Sequence, residues 1–186
     1  AWTEVVGNSE VALVSGSTRL RNVNSGEVAH VRCDTVLAGD AHFCQATMNT
    51  VSNTAGTQYT AVNTRFAAAA TTFYQYILYA DGGTPAEVLF RKMVTGTPTS
   101  LTDTGATVTD STDYVMRLTS KANNTHTCAQ AGVNKVTDYS DASITGNVRC
   151  GLTVSTDVTA GQSRFHAVSA EDLAAAATPG KFFALF

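Results

Sequence analysis

"DYSDASITGNVRCGL", residues 138–152, decides how this chain folds. The stretch is dense in Asp, Ser, Gly and Asn, which make turns by bonding their own backbone or tolerating left-handed φ. It is poor in residues that do chemistry. The segments leading into and out of it, "NKVTDYS" and "NVRCGLTV", alternate in the period-two manner of strands. The stretch therefore reads as a corner between two short strands rather than as a site.

The same alternation extends in both directions. "EVALVSG", "TRLRNV", "EVAHVRC", "FCQATMNTV", "QYTAVNTRF", "FYQYILYA", "AEVLFRKMV", "DYVMRLTS", "THTCAQA" and "SRFHAVSA" complete a set of short strands recurring about every 10 to 14 residues. Clusters such as "DGGTP", "TGTP", "KANN" and "AGVN" separate them. This spacing predicts an all-β, two-sheet antiparallel sandwich or barrel. The composition agrees: 29 threonines, 44% hydrophobic and only 15% charged residues among 186. One core and one domain are expected from that length. A net charge of −3 argues against a phosphate-backbone binder, and no apolar run is long enough to span a membrane as a helix.

Two places resist a strand reading. "RFAAAATTFY" is too short to stand as a helix and reads as a loop or a single helical turn. Ser169, followed by Glu171 and Asp172, reads as an N-cap with acids in the first turn of a short C-terminal helix, which Pro179-Gly180 stops. "KFFALF" follows. The expected organisation is a sandwich over 1–173 and a helix end with an apolar tail over 174–186.

The order of these pieces resembles the concanavalin A-like jelly rolls of the laminin-G and legume-lectin type. The resemblance rests on Tyr114 to Leu118, the hairpin around Gly132, Val136 to Asp138, Gly146 to Leu152 and Arg164-Phe165, with "SGSTRLRNV" and "TTFYQYILYADGG" in the first half. It implies a jelly-roll sandwich over roughly residues 2 to 173. Departures matter too. The E-x-D-x-E strand of the glucanase branch, with its pair of carboxylates, is missing, and Asp110, Asp113, Asp138 and Asp141 are spaced too irregularly for a calcium site.

Candidate sites follow from what remains. Cys33, Cys44, Cys128 and Cys150 occupy strand slots that Val or Ala would fill, and read as core thiols; no C-x-x-C pair occurs, so no zinc site or redox pair is expected. His30, His42, His126 and His166 each stand alone, and no G-x-S-x-G or phosphate loop occurs, so no enzyme, metal or cofactor is expected. Arg65, Tyr74, Tyr76 and Tyr79 are candidate glycan contacts, set against the core packing that explains most strand aromatics. Phe182, Phe183, Leu185 and Phe186 form a docking strip, for this sandwich or for a neighbouring chain.

Two functions remain. The first is a non-enzymatic attachment protein of a bacteriophage virion (capsid decoration, tail or fibre), multi-copy and made in the host cytoplasm, meeting protein neighbours through the strip. It fits a start, "AWTEVVGNSE", without a signal-peptide pattern, and rests on analogy. The alternative is a secreted lectin-like carbohydrate-binding module.

Overall fold

Period-two alternation becomes fourteen strands, all paired antiparallel, in a computed structural model that describes residues 2–7, 9–14, 17–22, 26–50, 58–69, 71–80, 87–105, 108–109, 112–156 and 163–173. In chain order they are β1 (Trp2–Val6), β2 (Ser9–Val14), β3 (Ser17–Asn22), β4 (Glu27–Cys33), β5 (His42–Thr50), β6 (Gln58–Thr64) and β7 (Phe73–Ala80). Then come β8 (Glu87–Val94), β9 (Thr97–Asp103), β10 (Asp113–Ser120), β11 (Thr125–Gln130), β12 (Val133–Ser140), β13 (Gly151–Thr156) and β14 (Ser163–Asp172). They form two seven-stranded sheets. The first has the order β1-β4-β13-β6-β7-β8-β9 and the second β12-β11-β10-β5-β14-β3-β2.

The core lies between them. Val31, Leu152, Val62, Tyr76 and Phe90 are successive cross-strand neighbours on the inner side of the first sheet. They face Cys44, Met48, Met116, Leu118 and Phe165 from the second, all within one buried cluster. Burying such side chains contributes on the order of 2 kcal/mol each. Cys33, Cys44, Cys128 and Cys150 lie in this core as free thiols. Burial pushes the Cys128 thiol up. Cys33 N–H bonds to Cys150 O at 2.9 Å, so the end of β4 faces the residue directly before β13.

Two strands escape the alternation pattern: β1, a short edge strand, and β9, an edge strand that contains Pro98 and is largely exposed. Tight turns sit at Thr95-Gly96 and Ala131-Gly132, each with positive φ at both residues, the hairpin geometry that follows the twist of the strands. The helix start expected at Ser169 is corrected. Ser169 to Asp172 continue β14 against β5, the Asp172 carboxylate accepts Ala38 N–H at 2.8 Å, and Leu173 N–H bonds to Ala41 O. Residues 174–186, with Phe182, Phe183, Leu185 and Phe186, lie outside the described residues.

The corner quoted first is held by side chains from elsewhere. The Arg65 guanidinium donates to Ile144 O (2.8 Å), Lys121 O (2.8 Å) and Asn124 Oδ1 (2.7 Å), and Gly146 N–H reaches Asp40 Oδ2 at 2.8 Å. Asp141 accepts from Tyr74 (2.7 Å), Lys92 (2.8 Å) and Ser143 N–H (2.8 Å). Burial alone would raise the Asp141 carboxyl, but these bonds outweigh it and hold it well below the usual carboxylate range.

Candidate functional site

Three of the four residues read as glycan contacts serve the interior. Arg65 is fully buried at the corner, with φ of 50° turning its side chain inward. Tyr74 is buried against Asp141, and burial together with that carboxylate pushes its hydroxyl up to about 12. Tyr76 lies in the core cluster. Their alternation points them to the sandwich centre, so they offer a sugar no face. Tyr79 alone projects outward and is half-buried.

Of the described histidines, His42 and His126 flank Ser120 on neighbouring strands of the second sheet, whereas His30 lies on the first. His42 Nδ1 bonds Gly39 O, and its Nε2 accepts Arg65 N–H. His126 bonds Ser120 Oγ at 3.0 Å and Asp141 O at 3.1 Å, between the rings of Tyr74 and Phe90. Burial, chiefly, holds it down to about 4. Ser120 and His126 are both fully buried, so the pair braces the corner and reaches no substrate. The side chain of His166 lies outside the described set.

His30 belongs to a different group, on the outward side of the first sheet. Register places Arg32, Gly151, Asn63, Gln75 and Arg91 in one row across β4, β13, β6, β7 and β8. The next row is His30, Thr153, Ala61, Ile77 and Leu89, and the third brings Val28, Ser155, Tyr59 and Tyr79 together. The polar members converge on one atom. Thr153 Oγ1 accepts from Asn63 (2.9 Å) and Gln75 (2.7 Å), and stands 2.9 Å from His30 Nδ1. With both lone pairs used, its proton goes to His30 Nδ1, which assigns the imidazole proton to Nε2. Burial first, and the charge of Arg91 second, hold His30 down to about 4. Arg91 Nε donates to Gln75 Oε1 at 2.8 Å, and its guanidinium lies 5.0 Å from the Tyr59 ring centre, beside the stacked Tyr79. On this face, two buried side-chain atoms have no hydrogen-bond partner among the described residues: Asn63 Oδ1, an acceptor, and Arg32 Nε, a donor.

The outward side of the second sheet carries a shallow cleft of about 270 Å³, lined by Gln45, Arg117, Thr119, Thr127 and Asn134. There the Arg117 guanidinium lies 3.7 Å over the Phe43 ring. Among the described residues, no three His, Cys, Asp or Glu side chains gather where a metal ion could be held.

No family model and no curated protein matches the sequence. Solved structures do match in shape. A carbohydrate binding module, CBM66 from Bacillus subtilis, superposes with a TM-score of 0.62 at 16% identity, over 86% of this chain and 94% of that one. The VIP36 exoplasmic/lumenal domain, in its Ca2+/Man3GlcNAc-bound form, gives 0.61 at 12% over 96% and 86%. The Emp46p carbohydrate recognition domain, potassium-bound, gives 0.60 at 14% over 88% and 84%. This chain has a concanavalin A-like lectin fold. Within that lectin fold, Asn63, Gln75, Arg91 and Thr153 were not singled out by sequence reasoning. The signal was a polar residue in the outward slot of consecutive strands, in "AVNT", "YQYI" and "FRKM", but each slot taken alone reads as an ordinary solvated position.

Proposed function

We propose that this chain is a non-catalytic carbohydrate-binding module whose site is the outward face of the first sheet. The observation that carries the reading is the array locked on Thr153, which leaves Asn63 Oδ1 to accept and Arg32 Nε to donate in one row of this face, with the Tyr59–Tyr79 pair two rows further along the strands. Sugars need this combination: fixed polar groups for hydroxyls, and an apolar ring against which the sugar's C–H face packs. Groups already held by one another lose little freedom when a ligand arrives. The structural neighbours with carbohydrate-binding names support this reading over a virion attachment role, which keeps only its analogy.

The test is titration calorimetry with a panel of neutral and acidic oligosaccharides. Binding by at least one class is expected, with Asn63→Ala and Arg91→Ala each weakening it about tenfold, the effect of one or two lost hydrogen bonds. Arg117→Ala, on the opposite sheet, should leave affinity unchanged. A panel without binding, or binding lost only in Arg117→Ala, overturns the assignment of this face. No hydrolysis of the bound oligosaccharide is expected, and products seen by chromatography would make the protein an enzyme instead.

A further inference from the structure

We propose that Cys33 and Cys150 are a modification site: in an oxidising environment they form one disulfide, joining the end of β4 to the residue that enters β13, while Cys44 and Cys128 stay thiols. The oxidant is a small-molecule disulfide of the glutathione kind. The bridge is independent of what either sheet face binds.

Register selects this pair from the four cysteines. Gly151 lies opposite Arg32, and one residue further Cys150 lies opposite Cys33, tied by the bond from Cys33 N–H to Cys150 O. Directly opposite residues of an antiparallel pair stand about 4.5–5.5 Å apart at Cα, within the roughly 4.4–6.8 Å that a disulfide spans. Both side chains point inward and belong to one buried cluster. They are already hydrogen-bonded, Cys33 donating its S–H to Cys150 Sγ. The other two cysteines have different cross-strand neighbours: Leu118 and Ala170 beside Cys44, Leu118 and Val136 beside Cys128. Cys44 also reaches Cys150, but from the other sheet, and its own thiol donates to Gly151 O at 3.6 Å. A bridge to Cys44 would have to cross the core between the layers.

The main chain around Cys150 is fixed without any bridge. Val148 O accepts Leu37 N–H at 2.8 Å, and Arg149 O accepts Phe66 N–H at 2.8 Å. Two cysteines held opposite each other in this way close a disulfide with little movement of backbone. The step exchanges one disulfide for another. One cysteine thiolate attacks a sulfur of oxidised glutathione, forms a mixed disulfide and releases the first glutathione thiolate. The second cysteine thiolate attacks the protein sulfur of that mixed disulfide, forms the Cys33–Cys150 bond and releases the second glutathione. The two protein thiols give up two protons, and two electrons end on the glutathione pair. In the folded chain both thiols are held protonated. The hydrogen bond with Cys150 first, and burial second, push Cys33 up. At Cys150 the bond from Cys33 lowers the thiol, but the bond with Cys44 and burial outweigh it. The exchange therefore belongs to folding, while glutathione still reaches the core. The ring it closes runs from residue 33 to residue 150, and a loop of that length restricts the unfolded chain strongly.

The experiment is refolding of the full chain from urea in a mixture of reduced and oxidised glutathione, then alkylation in denaturant and peptide mass mapping without reduction. A cross-link between the peptides of Cys33 and Cys150 is expected in most molecules, with Cys44 and Cys128 alkylated. The oxidised chain should melt about 5–15 °C above the same chain in dithiothreitol. Cys33→Ala should abolish both the cross-link and the shift. Should that variant lose its cooperative urea transition, Cys150→Ala is judged by the same criterion. A chain that refolds cooperatively without the cross-link overturns the proposal. So does a bridge from Cys150 to Cys44 as the main product, or a Cys33–Cys150 bridge that lowers the melting temperature. The same glutathione mixture added after folding should bridge the chain at least tenfold more slowly, and an equal rate overturns the assignment of the step to folding.

Discussion

Gly151 has no room for a methyl group: a Cβ built there meets the Phe66 ring at 2.4 Å and Val31 O at 2.7 Å. Gly151→Ala must push a packed ring or a ladder carbonyl aside, and a loss of about 1–3 kcal/mol is expected in urea unfolding. Arg65 makes a larger demand. Its guanidinium serves two main-chain carbonyls and Asn124 from a fully buried position. Arg65→Met should cost on the order of 3 kcal/mol, because the carbonyls of Ile144 and Lys121 are left buried and unpaired. A stability change below 0.5 kcal/mol would show that the corner holds without it. At this scale the sequence misled. Arg65, beside Tyr74 in an aromatic stretch, looks like a sugar contact when read along the chain. Its positive φ and its partners, 56 and 79 residues away, exist only in the folded molecule.

Elements were more legible than residues, because a strand's alternation is written locally. The hairpin turns were visible as "TGTP" and "AGVN", but not the cost they carry. Thr95 and Ala131 take φ of 49°, a conformation that disfavours side chains bearing a Cβ, and β-branched ones most. Thr95→Asn should therefore stabilise the β8–β9 hairpin by about 0.5–1 kcal/mol, read as a melting temperature raised by a few degrees. An unchanged or lower value would mean that the Thr95 side chain contributes a contact worth the strain. The strand β9 was missed because exposure erases alternation and Pro98 argues against a strand. The helix start at Ser169 failed for the opposite reason. Ser, Glu and Asp are good first-turn residues in isolation, but β5 offers Ser169 to Asp172 a ladder, and Ala38 N–H satisfies the carboxylate. Tertiary pairing outweighed local propensity.

For the whole molecule, acid is the condition to which this architecture is most sensitive. His30 and His126 are buried and neutral, with folded values of about 4 against 6.5 in the unfolded chain. Between those values the unfolded chain binds protons that the folded one refuses, so stability is complete above 6.5 and falls as pH drops toward 4. Each histidine accounts for about 3 kcal/mol at the bottom of that window. The lowered Asp141 adds a further loss at still lower pH, as its carboxylate is protonated away from Lys92. Urea midpoints between pH 7.5 and 4.5 should show the decline; a flat profile would mean that both imidazoles titrate normally. The face that carries the candidate site was illegible for a related reason. It is assembled from residues 90 and 123 positions apart, converging on Thr153. The strand that bears Thr153, β13, sits between β4 and β6 and pairs with both. A ribosome therefore makes all of residues 65–150 after β6 before the strand that joins β6 to β4 exists. Until then β4 and β6 each present a bare hydrogen-bonding edge in a slow, high-contact-order folding problem. Synthesis speed and chaperone supply, more than the stability of the finished sandwich, should set how much of this protein a cell obtains.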